Sequence, residues 1–103
     1  MKAYRLSLKA RRDLDNIWDY SRDLWGASEA PPIFATSYLR DIQTAIELVA
    51  ERPSAGAILE ELPAYRRRPV GSHMILHRLQ DGVIMIVRVL HQNMDATRAL
   101  SEP

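Results

Sequence analysis

The stretch "VIMIVRVLH", Val83 to His91, is apolar on both of its alternating faces apart from one arginine, Arg88. A strand with one wet face alternates, whereas one that is apolar on both sides is buried on both and lies inside a sheet. Such a strand needs a hydrogen-bonded neighbour on each side. "HMILHRL" (His73 to Leu79) precedes it, and Asp81-Gly82 between them is the pair that tolerates the positive φ of a tight hairpin. That hairpin supplies one neighbour. The other has to come from elsewhere, and "AYRLSL" (Ala3 to Leu8) is the lone N-terminal candidate, with Tyr4, Leu6 and Leu8 alternating against Ala3, Arg5 and Ser7.

Between these strands the period changes from two to nearly four. "KARRDLDNIWDYSRDLWG" places Ala10, Leu14, Ile17, Ser21 and Leu24 at helical spacing, with Trp18 and Trp25 on the flank of the stripe. Ser7 is suited to cap this helix and Gly26 to stop it. "ASEAPPIF" is a connection in which Ser28, Pro31 and Pro32 suit the start of a second helix. From about Ile33 to Glu51, Ala35, Tyr38, Leu39, Ile42, Ala45, Ile46 and Val49 form a broad apolar face, and Pro53 ends it. Residues 54–64 read as a loop, "YRRRPV" as a short strand, and Gly71-Ser72 as the turn of a first hairpin. The order is β-α-α-β-β-β. It predicts one α+β domain over residues 1–103, a two-layer fold in which an N-terminal helical hairpin packs on a four-stranded, mostly antiparallel sheet.

Composition excludes several classes. With no cysteine, disulfides, thiolate nucleophiles and thiol metal sites are absent, which fits a cytoplasmic protein. The N-terminus lacks the apolar run of a signal peptide, and no segment reaches the ~18 apolar residues of a membrane span. The net charge of +1 conceals an uneven distribution: residues 1–12 hold five basic and no acidic groups, residues 13–62 three basic and ten acidic, residues 63–103 six basic and three acidic. Two basic ends meeting in one sheet would give a cationic face suited to an acidic protein segment or to nucleic acid.

Arg88 admits two readings. Its stem can lie on apolar neighbours with the guanidinium tied to a carboxylate, or the guanidinium can face a sheet concavity and hold a phosphate or a partner's acid. Simple alternation puts it on one face with Ile84, Ile86 and Leu90. His91 lies at the strand exit four residues before Asp95, close enough for a hydrogen bond across a helical turn that would staple the C-terminal segment or assist proton transfer. No serine or cysteine stands beside them as a nucleophile. His73 and His77 share a strand face but lie about 13 Å apart, so they do not share a metal ion, and no metal or other cofactor is expected. Arg66, Arg67 and Arg68 are the densest positive run, either a solvated edge or a set of forks for carboxylate or phosphate. Asp13, Asp15, Asp19 and Asp23 on the first helix read as a hydrated acidic face.

The order and spacing of "YRLSLKARRDLDNIWDYSRDLWG", a second helix closing in "ERPSAG", "YRRRPVGSHMILHRL" and "IMIVRVLHQNMD" resemble the RelE/ParE superfamily of type II toxins, on the ParE side, over nearly the whole chain. The features that carry the resemblance are the Ala10/Asp13-Leu14/Ile17/Tyr20 stripe, Pro53 with Gly56, and "RVLH" followed by Asp95. His77 stands where many members show tyrosine. The resemblance implies a sheet whose first strand lies beside and parallel to the last, with Leu14, Ile17, Trp18 and Asp95 in structural roles. It also implies a bacterial toxin of a plasmid-stabilisation type, neutralised by a ParD-like antitoxin whose C-terminal segment folds on binding.

Two activities divide this superfamily. RelE-like members cut mRNA on the ribosome and need a base, a phosphate clamp and an acid; here Arg68, Arg88 and His91 are the candidates. ParE-like members inhibit DNA gyrase by protein contact, and then Arg66, Arg67, Arg68 and Arg88 are partner-binding candidates with no catalytic set. The second helix carries only Arg40 as a basic residue, and "ATRALSEP" has no tyrosine or histidine to complete an active site. The expectation is therefore the gyrase-type toxin, with the ribosome-dependent nuclease and a non-toxic binding module as alternatives.

Overall fold

The computed structural model describes residues 3–26 and 33–101, with side chains over 3–20 and 37–101. The connection carrying Ser28, Pro31 and Pro32 lies outside the described residues. The chain runs β1 (Tyr4–Leu6), α1 (Leu8–Gly26), α2 (Ile33–Glu51), β2 (Ala57–Ile58), β3 (Tyr65–Val70), β4 (His73–Gln80), β5 (Val83–His91) and α3 (Ala96–Ser101). The sheet order is β1-β5-β4-β3-β2, with β1 parallel to β5 and the remaining pairs antiparallel. The long apolar strand thus has its two neighbours. The segment read as a loop contributes a fifth, two-residue edge strand, because Ala57 and Ile58 find Arg67 and Arg66 opposite them.

Local chemistry places the ends of these elements. The Ser7 hydroxyl accepts the Ala10 amide at 2.9 Å and donates to the Val87 carbonyl at 2.7 Å, so one side chain starts α1 and prolongs the β1–β5 seam. The Ser7 amide continues that seam by donating to the Ile86 carbonyl at 3.0 Å. Replacing Ser7 with alanine removes both side-chain bonds, and an expected loss of about 1–2 kcal/mol is measurable by urea denaturation. The β4–β5 hairpin turns on Asp81 (φ 52°) and Gly82 (φ 77°), the two positive angles of a type I′ turn.

Two apolar clusters lie on opposite faces of the sheet. Ala10 and Ile17 of α1 and Ile42, Ala45, Ile46 and Val49 of α2 pack on Ile75, Ile84, Ile86 and Val89, with Leu14 half-buried against them. This is the expected helical layer, and Trp18 is half-buried on its flank. On the other face Met74, Leu76 and Leu90 meet Leu59 and the α3 residues Ala96 and Ala99, with Leu62, Tyr65 and Leu100 at the margin. The second face of the sheet is therefore partly covered by the C-terminal helix and the segment before β3.

One irregularity changes the reading of the central strand. The β4–β5 register passes from Leu76↔Arg88 to His77↔Ile86, so Val87 is an extra residue in β5. Such a bulge reverses the alternation beyond it. Ile84 and Ile86 precede it on the helix side, where Val89 joins them, while Leu90 lies with Met74 and Leu76 on the other. Arg88 pairs with Leu76 and so does not share a face with Ile84 and Ile86, contrary to simple alternation. Among the described residues no helix is long and apolar enough to cross a membrane.

Candidate functional site

A cleft of about 630 Å³ opens where α1 crosses the ends of β4 and β5, lined among others by Asp13, Asn16, Tyr20, His73, Arg88, His91 and Met94. Its floor is set by the strand ends and its wall by the helix that Ser7 starts.

Asp13 occupies the centre of the wall. Its carboxylate accepts Arg88 Nε at 2.8 Å and Arg88 Nη2 at 2.9 Å, a two-point fork, and also the Val89 amide at 2.9 Å. Because β1 stops at Leu6, that amide has no strand partner, and Asp13 takes the strand's place. The side chains of the pair are only 18% and 11% exposed. Of the two readings of Arg88, the geometry shows the tie to a carboxylate. The helical spacing held a signal for it: Asp13 lies between Ala10, Leu14 and Ile17 on the apolar stripe, so it is not part of the hydrated face that Asp15 and Asp19 form.

His73 and His91 oppose each other across the β4–β5 ladder, their rings edge to face with centroids 5.4 Å apart. His73 Nδ1 is hydrogen-bonded to the Tyr38 hydroxyl of α2, which also accepts the Ser72 amide at 3.2 Å. Gly71 (φ 56°) lets this turn close on Tyr38; a Cβ there would lie 2.6 Å from the Tyr38 ring. Burial lowers the His73 pKa from its ordinary value, the neighbouring His91 acts in the same direction, and Asp13 opposes them. His91 Nδ1 accepts the Asn93 amide at 3.1 Å, so its neutral ring carries the proton on Nε2. The His91–Asp95 couple read from the sequence does not form. Asp95 Oδ1 instead accepts the Arg98 amide at 3.1 Å and caps α3, which is the stapling role without the histidine.

The arginine run is divided by the pleat. Arg66 and Arg68 pair with His77 and Ile75 on the helix side of the sheet, and Arg67 pairs with Leu76 on the other. Arg66 Nη1 donates to the carbonyls of Ser54 and Gly56 at 3.1 Å each, Arg67 is exposed, and Arg68 is half-buried. Arg68 sits two strands and two residues from His91, roughly 12 Å between backbones. Arg88 projects from the opposite face and returns to Asp13. The trio Arg68, Arg88 and His91 is therefore not gathered around one point. Among the described residues no group of histidine and carboxylate side chains is placed to hold a metal ion.

The cleft has an exposed aromatic and methionine rim. Tyr20 and Met94 stand at its rim, 69% and 49% exposed, and the Asp13–Arg88 pair is self-neutralising within it. Aromatic and methionine side chains around a concavity are common at protein–protein contacts.

The comparisons with known proteins agree with this architecture. Residues 4–96 match the family described as the ParE toxin of the type II toxin–antitoxin system, parDE. The chain is 47% identical over 98 residues to Toxin ParE1 of Caulobacter vibrioides, covering 93% of this chain and 95% of that one. It is 41% identical over 99 residues to Toxin ParE1 of Mycobacterium tuberculosis, covering 94% and 96%. Its fold is similar to a solved chain of the chromosomal ParDE system from P. aeruginosa (TM-score 0.73, 24% identity, 88% of this chain and 96% of that one). It is also similar to a chain of the toxin–antitoxin complex RelBE2 from Mycobacterium tuberculosis (TM-score 0.58, 23% identity, 88% and 98%).

Proposed function

Since this chain belongs to the ParE toxin family of type II toxin–antitoxin systems, we propose that it acts by contact with DNA gyrase and that a cognate, ParD-like antitoxin neutralises it. The observation that carries the reading is the Asp13–Arg88 fork. A ribonuclease of this fold would need that guanidinium, or another beside His91, to hold a phosphate in the transition state. Here Asp13 already takes two of its nitrogens, and Arg68 is remote from His91. The surface left for function is the cleft rimmed by Tyr20 and Met94, which suits a polypeptide better than a reaction.

The test sets purified protein with gyrase and supercoiled plasmid beside a parallel reaction with translating ribosomes and mRNA. Trapped or cleaved plasmid with intact message is the expected outcome; message cut at codon positions overturns the proposal. His91→Ala, confirmed folded by circular dichroism, is expected to weaken gyrase inhibition by about tenfold or less without abolishing it, since His91 lines the cleft as one contact among several and performs no step. A folded His91→Ala chain that loses all activity would return the histidine to a chemical role.

A further inference from the structure

The chain has no cysteine, so its oxidisable sulfur is carried by methionine alone. The methionines with described side chains are placed very differently. Met74 is 2% exposed, inside the cluster on the α3 side of the sheet, and Met85 is half-buried in β5. Met94 is 49% exposed, at the rim of the cleft beside α1. An oxidant arriving from water therefore meets the Met94 side chain first, because susceptibility follows exposure.

The turn that carries Met94 is tied down residue by residue. The Gln92 amide donates to the Ser72 carbonyl at 2.9 Å, and Gln92 Nε2 donates to the Gly71 carbonyl at 2.7 Å. The Asn93 amide donates to His91 Nδ1 at 3.1 Å and the Met94 amide to the His91 carbonyl at 3.0 Å. Asp95 follows as the cap of α3. A backbone anchored on both sides of Met94 keeps its side chain at the mouth of the cleft instead of letting it fold into the core. Among the described residues that line the cleft, Met94 is the one that bears sulfur. An unbranched, polarisable thioether adapts to the surface of a polypeptide, which is why methionine is frequent at such contacts. The same atom is open to two-electron oxidation.

We propose that Met94 is a site of reversible oxidation by hydroperoxides, and that its sulfoxide weakens the hold of the cleft on a polypeptide partner. A lone pair on the Met94 sulfur attacks the terminal oxygen of the hydroperoxide, and the O–O bond breaks. The oxygen stays on sulfur, and the other fragment leaves as an alcohol, or as water when the oxidant is hydrogen peroxide. Sulfur gives up two electrons and the peroxide takes them. The product turns a flexible apolar side chain into a polar, chiral one with a strong acceptor oxygen. At the rim of the cleft that oxygen loses its water when a partner docks and gains no donor in return. The effect on binding rests on the reading of the cleft as the contact surface for a partner; the selectivity of the oxidation does not.

The experiment treats the intact, folded chain with hydrogen peroxide and follows each methionine by mass spectrometry. Trypsin separates the three sites, since Arg78 and Arg88 lie between them. Met94 is expected to gain one oxygen about tenfold faster than Met74 in the folded chain and at an equal rate in urea. Chain oxidised at Met94 and shown by circular dichroism to keep its fold is then assayed for gyrase inhibition, where a loss of about tenfold is expected. The two stereospecific methionine sulfoxide reductases, supplied with a dithiol as reductant, should restore both mass and inhibition. Met94→Leu is compared only with itself, and its inhibition should not change on peroxide treatment. Equal oxidation rates at Met94 and Met74 in the folded chain would overturn the proposal. So would full Met94 sulfoxide with unchanged inhibition, a loss that the reductases do not reverse, or an equal loss in Met94→Leu. An untreated parent that leaves gyrase active counts against gyrase as the target, and the two oxidation rates still decide whether Met94 is the site.

Discussion

Asp13→Ala is expected to destabilise the fold by about 3–5 kcal/mol, the cost of leaving one member of a buried ion pair without its partner. The substitution removes both bonds to Arg88 and the bond to the Val89 amide. It therefore deprives a largely buried guanidinium and an amide of this acceptor at the place where the parallel seam ends. Against a total stability of roughly 5–15 kcal/mol, this brings the chain near unfolding at ordinary temperature. The measurement is the urea midpoint at low temperature. A double variant, Asp13→Ala with Arg88→Met, should recover much of the loss, since the guanidinium deprived of this acceptor is then gone. A single variant within about 1 kcal/mol of the parent would mean that water replaces the carboxylate at little cost.

The second large effect is acid lability through His77. In the folded chain its pKa is lowered from 6.5 to about 4, first by burial and then by Arg66 and Arg68. Between those values the unfolded chain binds a proton that the folded chain refuses. Stability is therefore full above the unfolded pKa, falls as the pH drops through about 6.5, and levels off below about 4. The lost increment is on the order of 3 kcal/mol. Denaturation midpoints measured at closely spaced pH values should show this slope, and His77→Gln should flatten it. Equal slopes in parent and variant would assign the acid sensitivity to the carboxylates instead.

Much of the architecture was legible because it rests on short-range patterns. The doubly apolar Val83–His91 run announced a central strand, Ser7 announced a helix start, and Asp81-Gly82 announced a hairpin. The parallel closure of β1 on β5 came with the family resemblance and is present. Features that depend on distant residues were less accessible. Val87 carries no mark of a bulge, since valine is at home anywhere in a strand, so the faces of Arg88, Val89 and Leu90 were assigned by an alternation that stops there. Ala57 and Ile58 form a strand only because β3 offers an edge, which a two-residue signal cannot reveal. The Tyr38–His73 contact joins α2 to the β3–β4 turn and left no local trace. Asp13 was misread as part of the hydrated acidic face although a signal was there: a carboxylate within an apolar stripe, in a chain whose central strand bears an arginine, asks for that partner.

The seam between β1 and β5 also constrains how the molecule comes into being. Tyr4, Arg5 and Leu6 find their hydrogen-bonding partners at Ile84, Met85 and Ile86, eighty residues later. During synthesis the N-terminal strand emerges first and waits unpaired until nearly the whole polypeptide has left the ribosome. The Ser7 and Asp13 contacts to Val87 and Val89 must wait with it. The cleft beside α1 is consequently among the last parts to take shape, and a nascent chain cannot present it until translation is almost complete.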